Sequence, residues 1–338
     1  MNLHIVPDSK FSSTFYDNLL EGGWEQNNKV IVRTPYPKLT YIAQKIPFGK
    51  LYSNHFDALV GDTREYDKVF IHQLSPLMYR WIARHSFREL NWMTWGTDLY
   101  SLPFVRYNFY EPLTLVYKQK RKFQSGLLYL LKVYLTNMPF RTIAYSKIDH
   151  VLTWMESEFE FAKDHIPSLK ATHQFFFYEN QLPYQALDKI EEVNRSRDVL
   201  KIVVGNSGTP TNNHLDAIRT ISDSGIRADL YIPVSYGEKD YVEYLKKNVS
   251  FYKGGTIEFV DRYMAFEEYI RFLASTDALV MNHIRPQGYG NIFMMMYLGK
   301  PVFLNDKNIS LPDLRLAGMR WCSINEIYQL KTVQALPN

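Results

Sequence analysis

A single cysteine, Cys322, occurs in 338 residues, which excludes an intramolecular disulfide and a cysteine-based zinc cluster and fits a reducing compartment. The nine histidines show no metal-ligand spacing of the His-Glu-x-x-His kind, so no metal cofactor is expected. No uninterrupted apolar run reaches the roughly 18 residues of a membrane-spanning helix. The first residues, Met1-Asn2-Leu3-His4-Ile5-Val6-Pro7-Asp8, are too short and polar for a secretory leader. Internal repeats and low-complexity tracts are absent too. The expectation is a cytoplasmic globular protein, without exclusion from a membrane surface.

What is present is apolar and aromatic. Hydrophobic residues make up 46% and charged residues 22%, the balance of a folded chain, and 15% are aromatic. The length is too great for one ordinary core and predicts two domains. Short apolar strands alternate with helical patterns, which argues for parallel sheets with crossover helices. In the first half, strands are expected at Leu3–Val6, Lys29–Val32, Lys68–His72, Leu90–Trp95 and Asp149–Thr153, with helices at Pro76–His85 and Glu156–Asp164. Between Phe175 and Arg197 the pattern dissolves. The second half restarts it with strands at 199–204, 229–234, 256–260, 278–282 and 301–304 and helices at 211–224, 238–248, 265–274 and 290–298. We place the first domain at 1–178, a linker at 179–198 and the second domain at 199–338. Little follows the last expected strand, so a helix returning to the first domain is expected to be short or missing.

Two turns in the second half carry the strongest signal. After the strand ending at Val204, Gly205-Asn206-Ser207-Gly208 leads to a helix expected to open at Thr211 or Asn212, with His214 in its first turn. After the strand near Met281, Arg285, Gln287-Gly288-Tyr289-Gly290 and Asn291 lead into another helix. Glycines let backbone approach a ligand, and the first N–H groups of a helix lack partners and sit at its positive end. Arg285 adds a permanently charged planar fork suited to phosphate. Two such turns predict a diphosphate-linked ligand. Neither G-x-G-x-x-G nor the Walker Gly-Lys-Ser/Thr occurs there, which indicates neither a dinucleotide fold nor an NTPase. Tyr236, after the next strand, is a candidate to stack on a base and equally a core or surface tyrosine.

In the first half, Asp98 follows Trp95-Gly96-Thr97 at a strand's carboxyl end. A carboxylate there is a candidate general base for an acceptor hydroxyl, and equally a turn or cap residue. His72 ends the neighbouring strand and is the second candidate, or simply caps that strand. Asp8 and Lys10 follow the first strand, and with Trp95 and Thr97 they are expected on the acceptor side, because ligands of open α/β sheets lie beyond the carboxyl strand ends.

Charge is unevenly spread although the net is only +4. Between Phe104 and Thr142, seven basic residues (Arg106, Lys118, Lys120, Arg121, Lys122, Lys132, Arg141) face one acid, Glu111. The same stretch holds the Leu/Tyr-rich run 127–135. Cations beside apolar surface suit an interfacial membrane segment, with Lys118, Lys120, Arg121, Lys122 and Lys132 as headgroup contacts; a core helix with a solvated flank is the alternative. No nucleic-acid motif accompanies the cluster, so nucleic acid is not an expected partner.

Taken together these residues resemble the TDP-N-acetylfucosamine:lipid II N-acetylfucosaminyltransferases, glycosyltransferase family 56. The likeness runs through Trp95-Gly-Thr-Asp-Leu-Tyr100, Val204-Gly-Asn-Ser-Gly208 with Asn212 and His214, Pro233 with Tyr236, Arg285 with Gln287-Gly-Tyr-Gly290, and Gly299-Lys-Pro-Val302 to Asn305; His72 stands at the matching strand end. Much of the first domain departs from that family. The expected fold is α/β with GT-B architecture, two Rossmann-like domains facing across a cleft. The resemblance implies transfer of a TDP- or UDP-activated amino-deoxy sugar to an undecaprenyl-diphosphate-linked saccharide, at the cytoplasmic face of the bacterial inner membrane. Enterobacterial common antigen and O-antigen synthesis both fit. Metal-independent chemistry is expected because no DxD-type carboxylate pair is present. The rivals are an epimerase or hydrolase of the same fold and a non-catalytic membrane-bound scaffold.

Overall fold

A computed structural model describes residues 1–43, 45–102, 105, 108–121, 135–177, 184–190 and 199–331, with the side chains of Arg121 and Lys331 excepted. The chain forms two compact units. One comprises Met1–Arg106 and Gly126–Glu179, the other Tyr107–Ser125 and Asn180–Asn338. Residues 107–125, read from sequence as part of the first domain, belong to the second unit.

The first unit is built on a seven-stranded parallel sheet: β1 (Asn2–Pro7), β2 (Asn28–Arg33), β3 (Phe48–Gly49), β4 (Val69–His72), β5 (Leu90–Met93), β6 (His150–Thr153) and β7 (Thr172–Phe175), in the order β3-β2-β1-β4-β5-β6-β7. The order reverses at β1, which pairs on one side with β2 and on the other with β4. Such a switch point leaves a crevice at the carboxyl ends of the strands. The sheet is buried on both faces, which is why Leu3, Ile5, Val6, Ile31, Val32, Val69 and Ile71 form near-continuous apolar runs. The expected strands are all present. Unforeseen are β3, β7 and the helix Lys10–Glu21, which is capped by Ser9 accepting from Ser12 N–H.

The second unit carries β8 (Leu200–Val204), β9 (Ala228–Pro233), β10 (Ile257–Val260), β11 (Ala278–Met281), β12 (Val302–Leu304) and β13 (Cys322–Ser323), ordered β10-β9-β8-β11-β12-β13 and parallel throughout. Alternate residues enter two cores. Ile202 and Val204 pack on one face with Ile218 and Ile221, while Val203 packs on the other with Met295 and Leu304. The chain does not stop at β12. The helix Leu311–Leu316, β13 and the turns over Ile324–Lys331 follow, and Ile324, Ile327 and Leu330 complete the first of those cores.

Candidate functional site

The turn after β8 is built around Gly205. Its φ of +74° is the left-handed region that disfavours a side chain, and a Cβ there would stand 2.5 Å from His214 Nε2. The helix does not open at Thr211 as expected. Pro210–Asn212 forms a 3-10 turn, Asn213 turns left-handed at φ +51°, and the α-helix runs His214–Asp223. Asn212 is buried and staples the turn. Its Oδ1 accepts from Asn206 N–H at 3.2 Å, and its Nδ2 donates to the Ser207 carbonyl at 2.9 Å and to Thr209 Oγ1 at 3.0 Å. His214 is buried as well, near Tyr241 Oη at 3.3 Å, and burial holds its pKa down at about 3. Asn212 and His214 therefore shape the turn from within; the sequence reading placed them on the ligand. Gly208 likewise meets protein. It donates to the Tyr236 carbonyl at 2.7 Å, accepts from Glu238 N–H, and leaves no room for a Cβ against Val242.

The second turn behaves differently. Gly288, at φ +67°, caps the helix Tyr289–Tyr297 and offers no side chain to the first turn. A Cβ on it would meet Met281 and Asn206, whereas one on Gly290 would meet nothing within 4 Å. Open space over the positive end of a helix is what an anion needs. Tyr289 points elsewhere, bonding Ser310 Oγ and packing beside Phe293, and Asn291 donates to Tyr269 Oη at 2.8 Å.

The two turns are joined. Gln287 Nε2 donates to Asn206 Oδ1 at 3.1 Å, Thr211 Oγ1 donates to Gln287 Oε1 at 2.7 Å, and Arg285 Nη2 lies 3.5 Å from Thr211 Oγ1. Asn206 Nδ2 reaches on to Tyr236 Oη at 3.1 Å, and the Tyr236 residue is 61% exposed, open to a planar ligand. Asn206, Thr211, Tyr236, Arg285, Gln287, Gly288 and Gly290 thus share one surface at the carboxyl ends of β8, β9 and β11, whereas Ser207, expected on the ligand, is buried within the turn against Thr209 and Asn212. That surface combines a fixed cation, amide and hydroxyl groups and an aromatic face, the chemistry that receives a nucleoside diphosphate. His283 is buried beneath it, with Nδ1 2.9 Å from Asn308 Nδ2. Burial, then the charge of Arg285, lowers its pKa to about 3.

The first unit withholds its two candidate bases. Asp98 is buried, and its Oδ2 accepts from Leu74 N–H at 2.8 Å and Trp92 Nε1 at 2.7 Å while Oδ1 accepts from Trp95 N–H at 2.8 Å. This carboxylate ties the ends of β4 and β5 together. Burial raises its pKa against those donors. His72 has no exposed surface; its Nε2 lies 3.0 Å from Nδ1 of His4, whose Nε2 lies 3.0 Å from Asn28 Oδ1. Burial first, then the charges of His4 and Arg33, hold His72 well below the ordinary histidine range. Both are core residues because strand-end position and burial coincide here. Asp8 accepts from Thr40 and Tyr41 N–H at 2.6 and 3.1 Å, so it shapes a loop. Lys10 and Thr97 are exposed, Thr97 accepting from Gln73 Nε2 at 3.3 Å; the Trp95 ring lies 5.5 Å from that of Phe11. Among the described residues, no group of three or more His, Cys, Asp or Glu is placed to hold a metal ion.

The family model of the 4-alpha-L-fucosyltransferases, glycosyl transferase group 56, matches residues 65–333. The chain belongs to glycosyltransferase group 56. Its fold is that of solved GT-B enzymes. The apo structure of OtsA superposes with a TM-score of 0.58 at 7% identity, covering 100% of this chain and 92% of that one. Anabaena Alr3699/HepE in complex with UDP-glucose gives 0.56 at 12%, covering 98% and 88%. WaaG, a glycosyltransferase involved in lipopolysaccharide biosynthesis, gives 0.51 at 13%, covering 99% and 90%. This group 56 chain is accordingly a nucleotide-sugar-dependent glycosyltransferase with GT-B architecture.

Sequence reasoning missed how this transferase anchors residues 107–125. Asn213 Nδ2 donates to the carbonyls of Phe109 at 3.2 Å and Asn282 at 3.0 Å, and its Oδ1 accepts from Glu111 N–H at 3.0 Å. Asp216 accepts from Leu113 N–H, Thr114 N–H and Thr114 Oγ1 at 2.8, 3.0 and 2.7 Å, fixing the start of the helix Pro112–Arg121. Glu111 receives Asn305 Nδ2 and Lys307 Nζ, each at 3.0 Å. The first helix of the donor turn is therefore met by protein at its N-terminus, and open space lies at the second. Of the expected headgroup contacts, Lys118 stacks over Tyr110 at 5.3 Å and Lys120 is exposed; the Arg121 side chain, Lys122 and Lys132 lie outside the described residues. Among the described residues, no helix is long and apolar enough to cross a membrane.

Proposed function

We propose that this transferase moves a TDP- or UDP-activated, N-acetylated deoxy sugar onto a polyprenyl-diphosphate-linked saccharide in bacterial surface-polysaccharide synthesis, working peripherally at the cytoplasmic face of the inner membrane. The observation that carries the reading is the bonding of Gln287 to both Asn206 and Thr211, which makes one surface of the two turns. On that surface Arg285 and the N–H groups of Tyr289 and Gly290 take the diphosphate, and Tyr236 takes the base. Charge growing on the leaving diphosphate meets fixed donors that need no reorganisation, so the chemistry proceeds without a metal. Asp98 and His72 are withdrawn as bases in favour of this leaving-group-centred account.

Membrane docking draws support from the helix Pro112–Arg121. Thr114 and Tyr117 are buried, whereas Leu113, Val116 and Lys120 are exposed at the spacing of a single helix face. Apolar groups flanked by a cation suit a lipid surface.

Arg285→Ala tests the donor site. Loss of one such donor costs about 2.7–4 kcal/mol at the transition state, a drop of roughly 10²–10³ in transfer rate. Transfer at the wild-type rate would end the diphosphate assignment. Thermal-shift comparison of TDP- and UDP-sugars identifies the nucleotide, since a ligand bound only by the folded state raises the Tm.

A further inference from the structure

Arg33 ends β2 at the point where the first sheet reverses its order, in register with Pro7 of β1. Its side chain reaches past the end of β1 to the end of β4, where Nη2 donates to the Gln73 carbonyl at 2.7 Å and lies 3.2 Å from Gln73 Oε1. Gln73 adopts φ +56°, a left-handed conformation rare outside glycine, held by its N–H on the Met93 carbonyl at 3.0 Å and by Nε2 on Thr97 Oγ1. That backbone turn aims the carbonyl at the guanidinium.

The charge itself is left over. Guanidinium carries five N–H donors, yet among the described residues only Nη2 of Arg33 has acceptors, and Nε is buried with none. Among the described residues no carboxylate pairs with it. Asp98 is near enough to act on it electrostatically but spends its oxygens on Leu74, Trp92 and Trp95, and Asp8 turns its own to Thr40 and Tyr41. Burial lowers the Arg33 pKa to about 10, so the cation persists at neutral pH. A sequestered cation without a counter-charge is costly unless something anionic arrives. The residue still reaches the surface, in the crevice where open α/β sheets bind ligands.

We propose that Arg33, oriented by Gln73, is an anion site of the first unit that takes a diphosphate group, in the reaction above the diphosphate of the lipid-linked acceptor. This rests on the transferase reading. An arginine fork at that place would fix the acceptor by its phosphates.

Inorganic pyrophosphate, titrated calorimetrically into the full chain with TDP saturating the donor turns, reads the site. Binding is expected to persist with TDP present, to weaken at least tenfold in Arg33→Gln, and to recover in part in Arg33→Lys, with TDP affinity unchanged in both. Absence of pyrophosphate binding in the wild type, or equal binding by Arg33→Gln, overturns the site. If Arg33→Gln fails to fold, the Arg33 Nε–H resonance in nitrogen-labelled wild-type protein replaces it: a shift on adding pyrophosphate supports the site and its absence overturns it. Failure of TDP itself to bind sinks the donor reading alone, because pyrophosphate titrated into Arg285→Ala without TDP still reports on Arg33. Farnesyl diphosphate binding more tightly than pyrophosphate supports a lipid-linked source. Equal binding overturns that source in favour of a free diphosphate.

Discussion

The carboxyl ends of the two sheets use similar residue types to opposite ends. Beyond β4 and β5 of the first unit, His72 and Asp98 turn inward, and each is consumed by neighbours that hold strands together. Beyond β8 and β11 of the second, Asn206, Thr211 and Gln287 bond to one another across loops and leave Arg285 and an open helix start beside them. A titratable residue at a strand end is thus no sign of catalysis by itself. What separates the two cases is burial and whether open space adjoins the polar groups.

Substitution at Asp98 breaks this comparison most directly. Asp98→Ala strands three donors, two backbone N–H groups and the Trp92 indole. Unsatisfied buried groups cost about 1–3 kcal/mol each before relaxation, so a loss of about 3 kcal/mol or more is expected, read as a lowered Tm. Arg285→Ala should leave the Tm near wild type while abolishing most transfer. An Asp98→Asn enzyme that keeps its Tm but loses all transfer would restore a catalytic role.

Acid sharpens it next. His4, His214 and His283 are held neutral by burial, with pKa values lowered from 6.5 to about 4, 3 and 3. The unfolded chain binds protons on them from about pH 6.5 downward and the folded chain does not. Their contribution is therefore complete above that pH and declines as pH falls toward 4 and 3, by about 1.4 kcal/mol per pH unit for each histidine. Denaturant titrations at pH 7, 6 and 5 should show that slope, and His283→Gln should flatten it. An unchanged midpoint between pH 6.5 and 5 would refute the burial account.

Membrane docking gives a smaller effect. The pair Val116→Asp and Lys120→Glu should reduce co-sedimentation with anionic liposomes severalfold, since each surface cation contributes about 1 kcal/mol; undiminished binding would remove this helix from the lipid contact. The smallest contrast lies between two glycines. Gly290→Ala, in open space on a helix, should raise stability by about 0.5–1 kcal/mol, whereas Gly288→Ala collides with Met281 and Asn206 and should lower it.

The second unit was the more legible in sequence. Runs such as Ile202-Val203-Val204 and Ala278-Leu279-Val280-Met281 are buried on both faces, and their expected limits fall within a residue or two of those observed. Strands of two residues, Phe48–Gly49 and Cys322–Ser323, are too short to show a period, and Thr172–Phe175 is a half-exposed edge without an apolar run. The helix Lys10–Glu21 opens through Ser12, Ser13 and Thr14, residues that favour caps and turns elsewhere. The turn pair was readable because glycine and arginine carry local chemistry. The grip of Asn213 and Asp216 on residues about a hundred positions earlier was not, because nothing local encodes a distant partner.

That grip has a consequence for biosynthesis. The stretch bearing Glu111 leaves the ribosome long before Asn305, its partner 194 positions onward, has been made. The second unit therefore cannot finish as an autonomous C-terminal piece. A fragment beginning at residue 180 would emerge with Asn213, Asp216 and Asn305 facing water where a tether belongs, and supplying a peptide of residues 107–125 should restore what the cut removed.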